Sequence, residues 1–132
     1  MPSKEIRIPW VTVQMESAGN PPPPDIIQQQ DEWMDTEGFT SCAFMFQCPK
    51  MSDDITLYFE TAMRPEGPWR NVGTIESSGL PTADDEYAAM KYMTSAADAV
   101  DANRFDRYIR WRLSATGGDP HICFRFAGVF RA

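Results

Sequence analysis

Histidine is nearly missing from this 132-residue chain: His121 is the only one, and the three cysteines, Cys42, Cys48 and Cys123, include no C-x-x-C pair. A zinc site draws on several such ligands at short spacings, so none is expected. His121 follows Asp119-Pro120, and no G-x-S-x-G context sets a serine beside it, which leaves an exposed turn histidine rather than a general base. Glycine-rich phosphate loops are absent too. No apolar run approaches the roughly 20 residues of a transmembrane helix, and the start MPSKEIRIPW lacks the apolar centre of a signal sequence. These absences point to a soluble, cytoplasmic chain with no catalytic residues, no metal and no cofactor.

The cysteines cannot all pair, being odd in number. Cys42 and Cys48 lie six residues apart in an alternating segment, which at strand rise separates them by about 20 Å. A disulfide needs its Cα atoms within about 7 Å, so these two do not bridge each other in a regular strand. Either could meet Cys123 across a sheet, but buried free thiols are the expectation.

Charge is uneven. The net charge is −7, yet residues 104–132 hold six arginines against two acids, while residues 1–103 hold six Lys or Arg against seventeen acids. An acidic body with a basic C-terminal end is open to nucleic acid, to an acidic partner or to internal pairing.

What the chain does have is alternation, which predicts strands separated by turns. In 4–15, Ile6, Ile8 and Trp10 share one face; Pro9 marks an edge or bulge, after which Val11, Val13 and Met15 take the inward phase. Residues 17–30 form a Pro-rich extended loop or arm, with Pro21, Pro22, Pro23 and Pro24 in a stiff polyproline run. In 38–48, Cys42, Phe44, Phe46 and Cys48 face one way and Ala43 and Met45 the other, so this strand reads as central and covered on both sides, or as lying against another chain. In 54–63, Ile55, Leu57, Phe59, Thr61 and Met63 point in and Glu60 points out; the turn 64–68 and the return 69–75 complete a hairpin. Residues 81–103 are ambiguous between strand, loop and short helix, with a strand placed near 88–94. In 105–115, Ile109, Trp111, Leu113 and Ala115 point in while Tyr108, Arg110, Arg112 and Ser114 point out. Residues 116–120 (TGGDP) read as a hairpin turn into 121–132, where Ile122, Phe124 and Phe126 point in and Gly128 marks a bulge. Seven or eight strands with little helix predict a single all-β domain over 1–132, an antiparallel β-sandwich or jelly roll.

Three surface features are candidates for function. If 105–115 and 121–127 pair through a hairpin, Arg110, Arg112 and Arg125 form one basic ladder. With few lysines and a pI near 4.6, that ladder suits an acidic protein surface or the chain's own Glu60 better than phosphate. The aromatics Trp10, Trp33, Trp69, Trp111, Tyr58, Tyr92 and Tyr108 could offer a sugar-stacking platform, with Trp69 the one expected to be exposed and Trp111 in phase with the core. Asp53-Asp54 and Asp84-Asp85-Glu86 lack a calcium-loop pattern and read as solvated turn acids.

The order of these pieces resembles a group of small β-sandwich proteins that tailed phages and prophages encode among their virion structural genes. Trp33, Asp35, Gly38 and Phe39 match the opening into the central strand; Phe59, Glu60, Thr61 and Trp69 match the hairpin; Arg107, Tyr108, Ile109 and Arg110 match the third element. The likeness spans about 31–128 and is shared in part by discoidin-like jelly-roll modules. It departs in the hairpin, where Ala62-Met63-Arg64-Pro65-Glu66-Gly67 replaces a Ser-x-Asp-Gly turn, so that loop's role is not carried over. The resemblance implies a non-enzymatic virion protein, foremost a capsid decoration or cement protein. Its implied partners are the major capsid protein or other virion subunits, on a symmetric lattice of copies, with Arg110, Arg112, Arg125 and Trp69 as interface candidates. Neither nucleic acid nor membrane is an expected partner. The alternatives are a carbohydrate-binding jelly-roll module, with exposed Trp69 and a calcium, or a tail or neck component.

Overall fold

The computed structural model describes residues 3–15, 24–77, 87–96, 103–116 and 118–132, for 87–91 the backbone alone. Nine strands are described: β1 (Ser3–Gln14), β2 (Ile26–Ile27), β3 (Met34–Asp35), β4 (Ser41–Met51), β5 (Ile55–Ala62), β6 (Arg70–Glu76), β7 (Tyr87–Thr94), β8 (Tyr108–Ala115) and β9 (His121–Arg131). One 3-10 turn, Gln30–Glu32, separates β2 from β3. Sheet A has the order β1-β9-β4-β7, and sheet B has β2-β8-β5-β6 with β3 also on β8. All the strand pairings are antiparallel.

β2 and β3 are two short pieces of one interrupted edge, pairing with opposite ends of β8. Gln28 bridges the interruption. Its backbone N–H donates to Trp111 O, its side-chain oxygen accepts from Trp111 N–H, and its amide nitrogen donates to Glu32 O. A glutamine buried to 2% exposure is tolerated because its polar atoms are paired. Counting β2 and β3 as one, the pairs β1·β9, β2/β3·β8, β4·β7 and β5·β6 nest inside one another. That nesting is a jelly roll, the predicted fold class.

The core is the sequence's alternation made solid. Ile55, Leu57, Ile109, Leu113, Ile122, Phe124 and Phe130 are all at 1% exposure or less. Phe46, Phe59, Phe124, Phe126 and Phe130 interlock with neighbouring rings at centroid separations of 5.0 to 6.4 Å, mostly edge to face. Such ring pairs add about 0.5–1.5 kcal/mol each beyond the area they bury.

Several expectations are corrected. Residues 116–120 are not a hairpin turn: β8 lies in sheet B and β9 in sheet A. Their apolar phases face each other through the core, with Trp111 and Phe124 rings perpendicular at 5.6 Å. Alternation alone cannot tell strands side by side from strands face to face. The bulge after Pro9 is present, between Ile8 and Val11, but it turns Trp10 outward instead of leaving it beside Ile6 and Ile8. Gly128 is in regular register with both Ile6 and Phe44; the bulge falls on the partner strand, between Gln47 and Lys50. A Cβ at Gly128 would come within 2.8 Å of the Phe130 ring and 3.2 Å of Phe44, so this glycine makes room for rings. Met63 lies past the end of β5 and is 65% exposed. The 38–48 strand is central, yet its outer face is open, with Met45 52% exposed.

The predicted strand near 88–94 is β7, and the predicted hairpin is β5–β6. Pro21, Pro22 and Pro23 lie outside the described residues, as do 78–86, with Asp84-Asp85-Glu86, and 97–102. Pro24 is exposed, and two residues on the chain is already paired, Ile26 against Leu113. Residues 3–14 run as the edge of sheet A, with Ser3 opposite Arg131.

Candidate functional site

The crossing from β8 to β9 splits the predicted arginine ladder. Arg110 and Arg112 stand on the outer face of sheet B, where Glu60 sits opposite Arg110 on β5. Arg110 Nε donates to Glu60 Oε1 and Arg112 Nε to Glu60 Oε2, each at 3.2 Å. One carboxylate thus holds two guanidinium groups, and Arg112 Nη1 reaches Asp25 Oδ2 at 2.7 Å. Burial works against the Arg112 charge, but the bonds from Asp25 and Glu60 outweigh it and raise its pKa. Glu60 is only 7% exposed although it points away from the core, because arginines and aromatics roof it over.

Those aromatics are Trp33, Trp69 and Tyr58. The Arg110 guanidinium lies 3.7 Å from the Trp69 ring centre and 5.3 Å from that of Trp33, and Arg112 lies 4.3 Å from Tyr58. Trp33 meets Trp69 edge-on at 4.8 Å. Trp69 is therefore half-buried, with a cation on its ring. Arg107, at the start of this edge, is bound to Asp35 and Glu37. The Arg107 hydrogen bond holds the Asp35 carboxyl below its usual range, and the Asp35 bond raises Arg107 in turn. The basic residues that β8 places on this face are neutralised by the chain's own acids.

Arg125 is on the other side of the molecule. It stands on the outer face of sheet A, opposite Gln47 on β4, and its Nε donates to Gln47 Oε1. Its guanidinium lies 4.5 Å from the Trp10 ring centre. No acid pairs with it among the described residues. Around it runs an open groove of about 710 Å³ lined by Glu5, Arg7, Trp10, Met45, Gln47 and Arg125, among others. Trp10 is 42% and Met45 52% exposed. One strand pair further along the face, Ala43 lies between Val129 and Tyr92, and Tyr92 is 71% exposed. The outer face of sheet A thus carries large apolar side chains around small ones, with Arg125 paired to no acid among the described residues.

Of the interface candidates named from sequence, Arg110, Arg112 and Trp69 come together and Arg125 does not join them. Trp10, Met45 and Gln47 were missed as companions of Arg125. Pro9 was the available signal for Trp10, since a bulge shifts the phase of the residues beyond it; the Gln47–Arg125 pairing needs the strand register.

At one end of the sandwich Ser52, Asp54, Asp119 and His121 form a loop network. Ser52 Oγ donates to Asp54 Oδ1 at 2.5 Å, the Asp119 N–H donates to Asp54 Oδ2, and the His121 backbone N–H donates to Ser52 Oγ. The His121 ring meets the Asp119 carbonyl, not the serine. These bonds tie the β4–β5 turn to the crossing at 116–120. Among the described residues no three His, Cys, Asp or Glu side chains come together as a metal would require. Cys42 and Cys48 are buried and Cys123 half-buried, all free thiols.

No protein-family model matches the chain, and no curated protein matches it. Among solved structures it is similar, at 12% identity and a TM-score of 0.39, to a carbohydrate-binding module described as specific for non-crystalline cellulose, CBM28. The match covers 98% of this chain and 72% of that one. A likeness so slight transfers neither site nor ligand.

Proposed function

We propose that this chain is a non-enzymatic interaction protein that works through the outer face of sheet A, and that its role is that of a virion structural protein, foremost capsid decoration. The observation that carries the reading is the contrast between the two outer faces. Sheet B spends its charges internally, on Glu60, Asp25 and Asp35. Sheet A exposes Trp10, Met45 and Tyr92 around a cation with no acid partner among the described residues. An open face of aromatics, Met and Arg has the composition of a contact surface. On a symmetric lattice many such modest contacts add up to firm attachment. The virion assignment adds to this face the resemblance over 31–128, with neighbouring capsid subunits as the partners.

The test is addition of purified protein to expanded capsids from the same source, alongside its sedimentation behaviour. Wild type binds, and a Met45→Glu, Tyr92→Ser double variant that keeps its β circular dichroism does not. A strictly monomeric wild type that adds to no capsid overturns the reading.

A carbohydrate-binding role is the second reading, and one feature favours it: Trp10 stands in a groove beside the hydrogen-bonding groups of Arg125, Gln47 and Glu5. A glycan array with wild type, Trp10→Ala and Trp69→Ala decides it. Signal lost in Trp10→Ala and kept in Trp69→Ala supports it, whereas silence from wild type ends it.

A further inference from the structure

Arg125 is built unlike the other arginines that β8 and β9 place on strand faces. Its Nε is committed to Gln47 Oε1, and its guanidinium carbon lies over the Trp10 ring, 4.5 Å from the centre. Stacking occupies the face of a guanidinium and leaves its in-plane donors available. Among the described residues neither Nη group of Arg125 has an acceptor. The fork is thus oriented by two neighbours, which lowers the entropy lost when it binds something.

The groove also fixes what that something is. Its charged side chains are Glu5, Arg7 and Arg125, and Arg7 is taken up by Glu5 at 2.7 Å. One positive charge remains, which a single carboxylate balances. A doubly charged phosphate would overshoot it and stand near the Glu5 carboxylate. The remaining walls include Ile8, Pro9, Met45 and Phe126, a lining that suits an aliphatic side chain better than a hydroxylated ring.

We propose that Trp10, Gln47 and Arg125 form a carboxylate-reading clamp for a protein partner: the Nη groups of Arg125 take an Asp or Glu side chain in a two-point bond, and an adjacent aliphatic residue packs against Met45. The proposal rests on the reading of sheet A's outer face as the contact surface and names the chemistry of the partner there.

The experiment is nuclear magnetic resonance titration of the whole protein, read at the Trp10 indole N–H and the Arg125 Nε–H. The probes are acetyl-Leu-Glu-Leu-amide, its Gln counterpart, glucuronate and inorganic phosphate. The Glu peptide binds about tenfold more tightly than the Gln peptide, as expected for a charge-assisted two-point bond. Arg125→Gln, whose exposed position keeps the fold intact, abolishes the difference. Arg125→Lys, which keeps the charge and loses the fork, falls between. Equal binding of the Glu and Gln peptides, no shift with either, an Arg125→Lys variant equal to wild type, or tighter binding of glucuronate or phosphate overturns the clamp. If capsid addition depends on Met45 and Tyr92 while the peptides are not distinguished, the clamp alone falls. If the peptides are distinguished and no capsid is bound, the virion role falls and the clamp stands.

Discussion

Arg110 lies over Trp69 with its guanidinium carbon 3.7 Å from the ring centre, while its Nε holds Glu60. This contact explains why a tryptophan on the outer side of the sandwich is half-buried, and why the Glu60 carboxylate can be buried. Glu60, buried, balances two guanidinium groups. Removing it leaves two charges facing each other. Glu60→Ala is expected to cost about 3 kcal/mol in chemical denaturation, the scale for breaking a buried pair from one side. Glu60→Gln keeps the shape and costs less. A loss under about 1 kcal/mol for Glu60→Ala, the scale of an exposed pair, would mean that water already screens the cluster.

Gly128 is the packing counterpart. A methyl group there meets the ring of buried Phe130 and that of partly buried Phe44, and one or both must shift to admit it. Gly128→Ala is therefore destabilising by about 1–3 kcal/mol, despite sitting in a strand where alanine is normally the better residue. Neutral or improved stability in a thermal melt would refute the overpacking.

The thiols should separate by reactivity. Burial pushes Cys42 up to about 12 and Cys48 up to about 11, so neither supplies thiolate at pH 8. Half-buried Cys123 is the accessible one. Iodoacetamide on the native protein is expected to give one adduct, mapped by mass spectrometry to Cys123, and three adducts in denaturant. Early labelling of Cys42 would show that β4 opens on its own.

Acid titration probes the loop network. The Ser52 hydroxyl, with help from the Asp119 N–H, holds the Asp54 carboxyl below its usual 3.8. A depressed carboxylate contributes stability above its unfolded pKa and loses it as pH falls through the lower folded value. Unfolding free energy should therefore drop below about pH 4. Asp54→Asn should lower stability at pH 7 and flatten that drop. An unchanged acid limb in Asp54→Asn would remove Asp54 from the account.

Alternation fixed which residues of β5, β8 and β9 face inward, because burial of one strand face obeys a period of two wherever the backbone stays regular. It failed where regularity breaks. Trp10 changed sides at the Pro9 bulge, and Met63 fell beyond the end of its strand. It was also blind to which strands neighbour which. Arg110 and Arg125 share a pattern and a charge, and only the crossing at 116–120 decides that they occupy opposite surfaces. The internal pairing of Arg110 with Glu60 was legible only as far as both residues pointed outward with opposite charges; that their strands are neighbours comes from the pairing of β5 with β8. The clamp around Arg125 was not, because it depends on the register of β4 against β9.

The nested pairing has a kinetic meaning. With β5·β6 formed first, each later pair closes a loop already shortened by the one inside it, so the closure cost is spread over small steps instead of falling on one long one. The β5–β6 turn then lies at the nucleus and β1, whose partner is more than a hundred residues away, is added last. Substitutions in 64–68 should slow refolding, and substitutions in β1 such as Ile8→Val should mainly speed unfolding. The chain closes like a zip that starts at its middle and finishes where Ser3 meets Arg131.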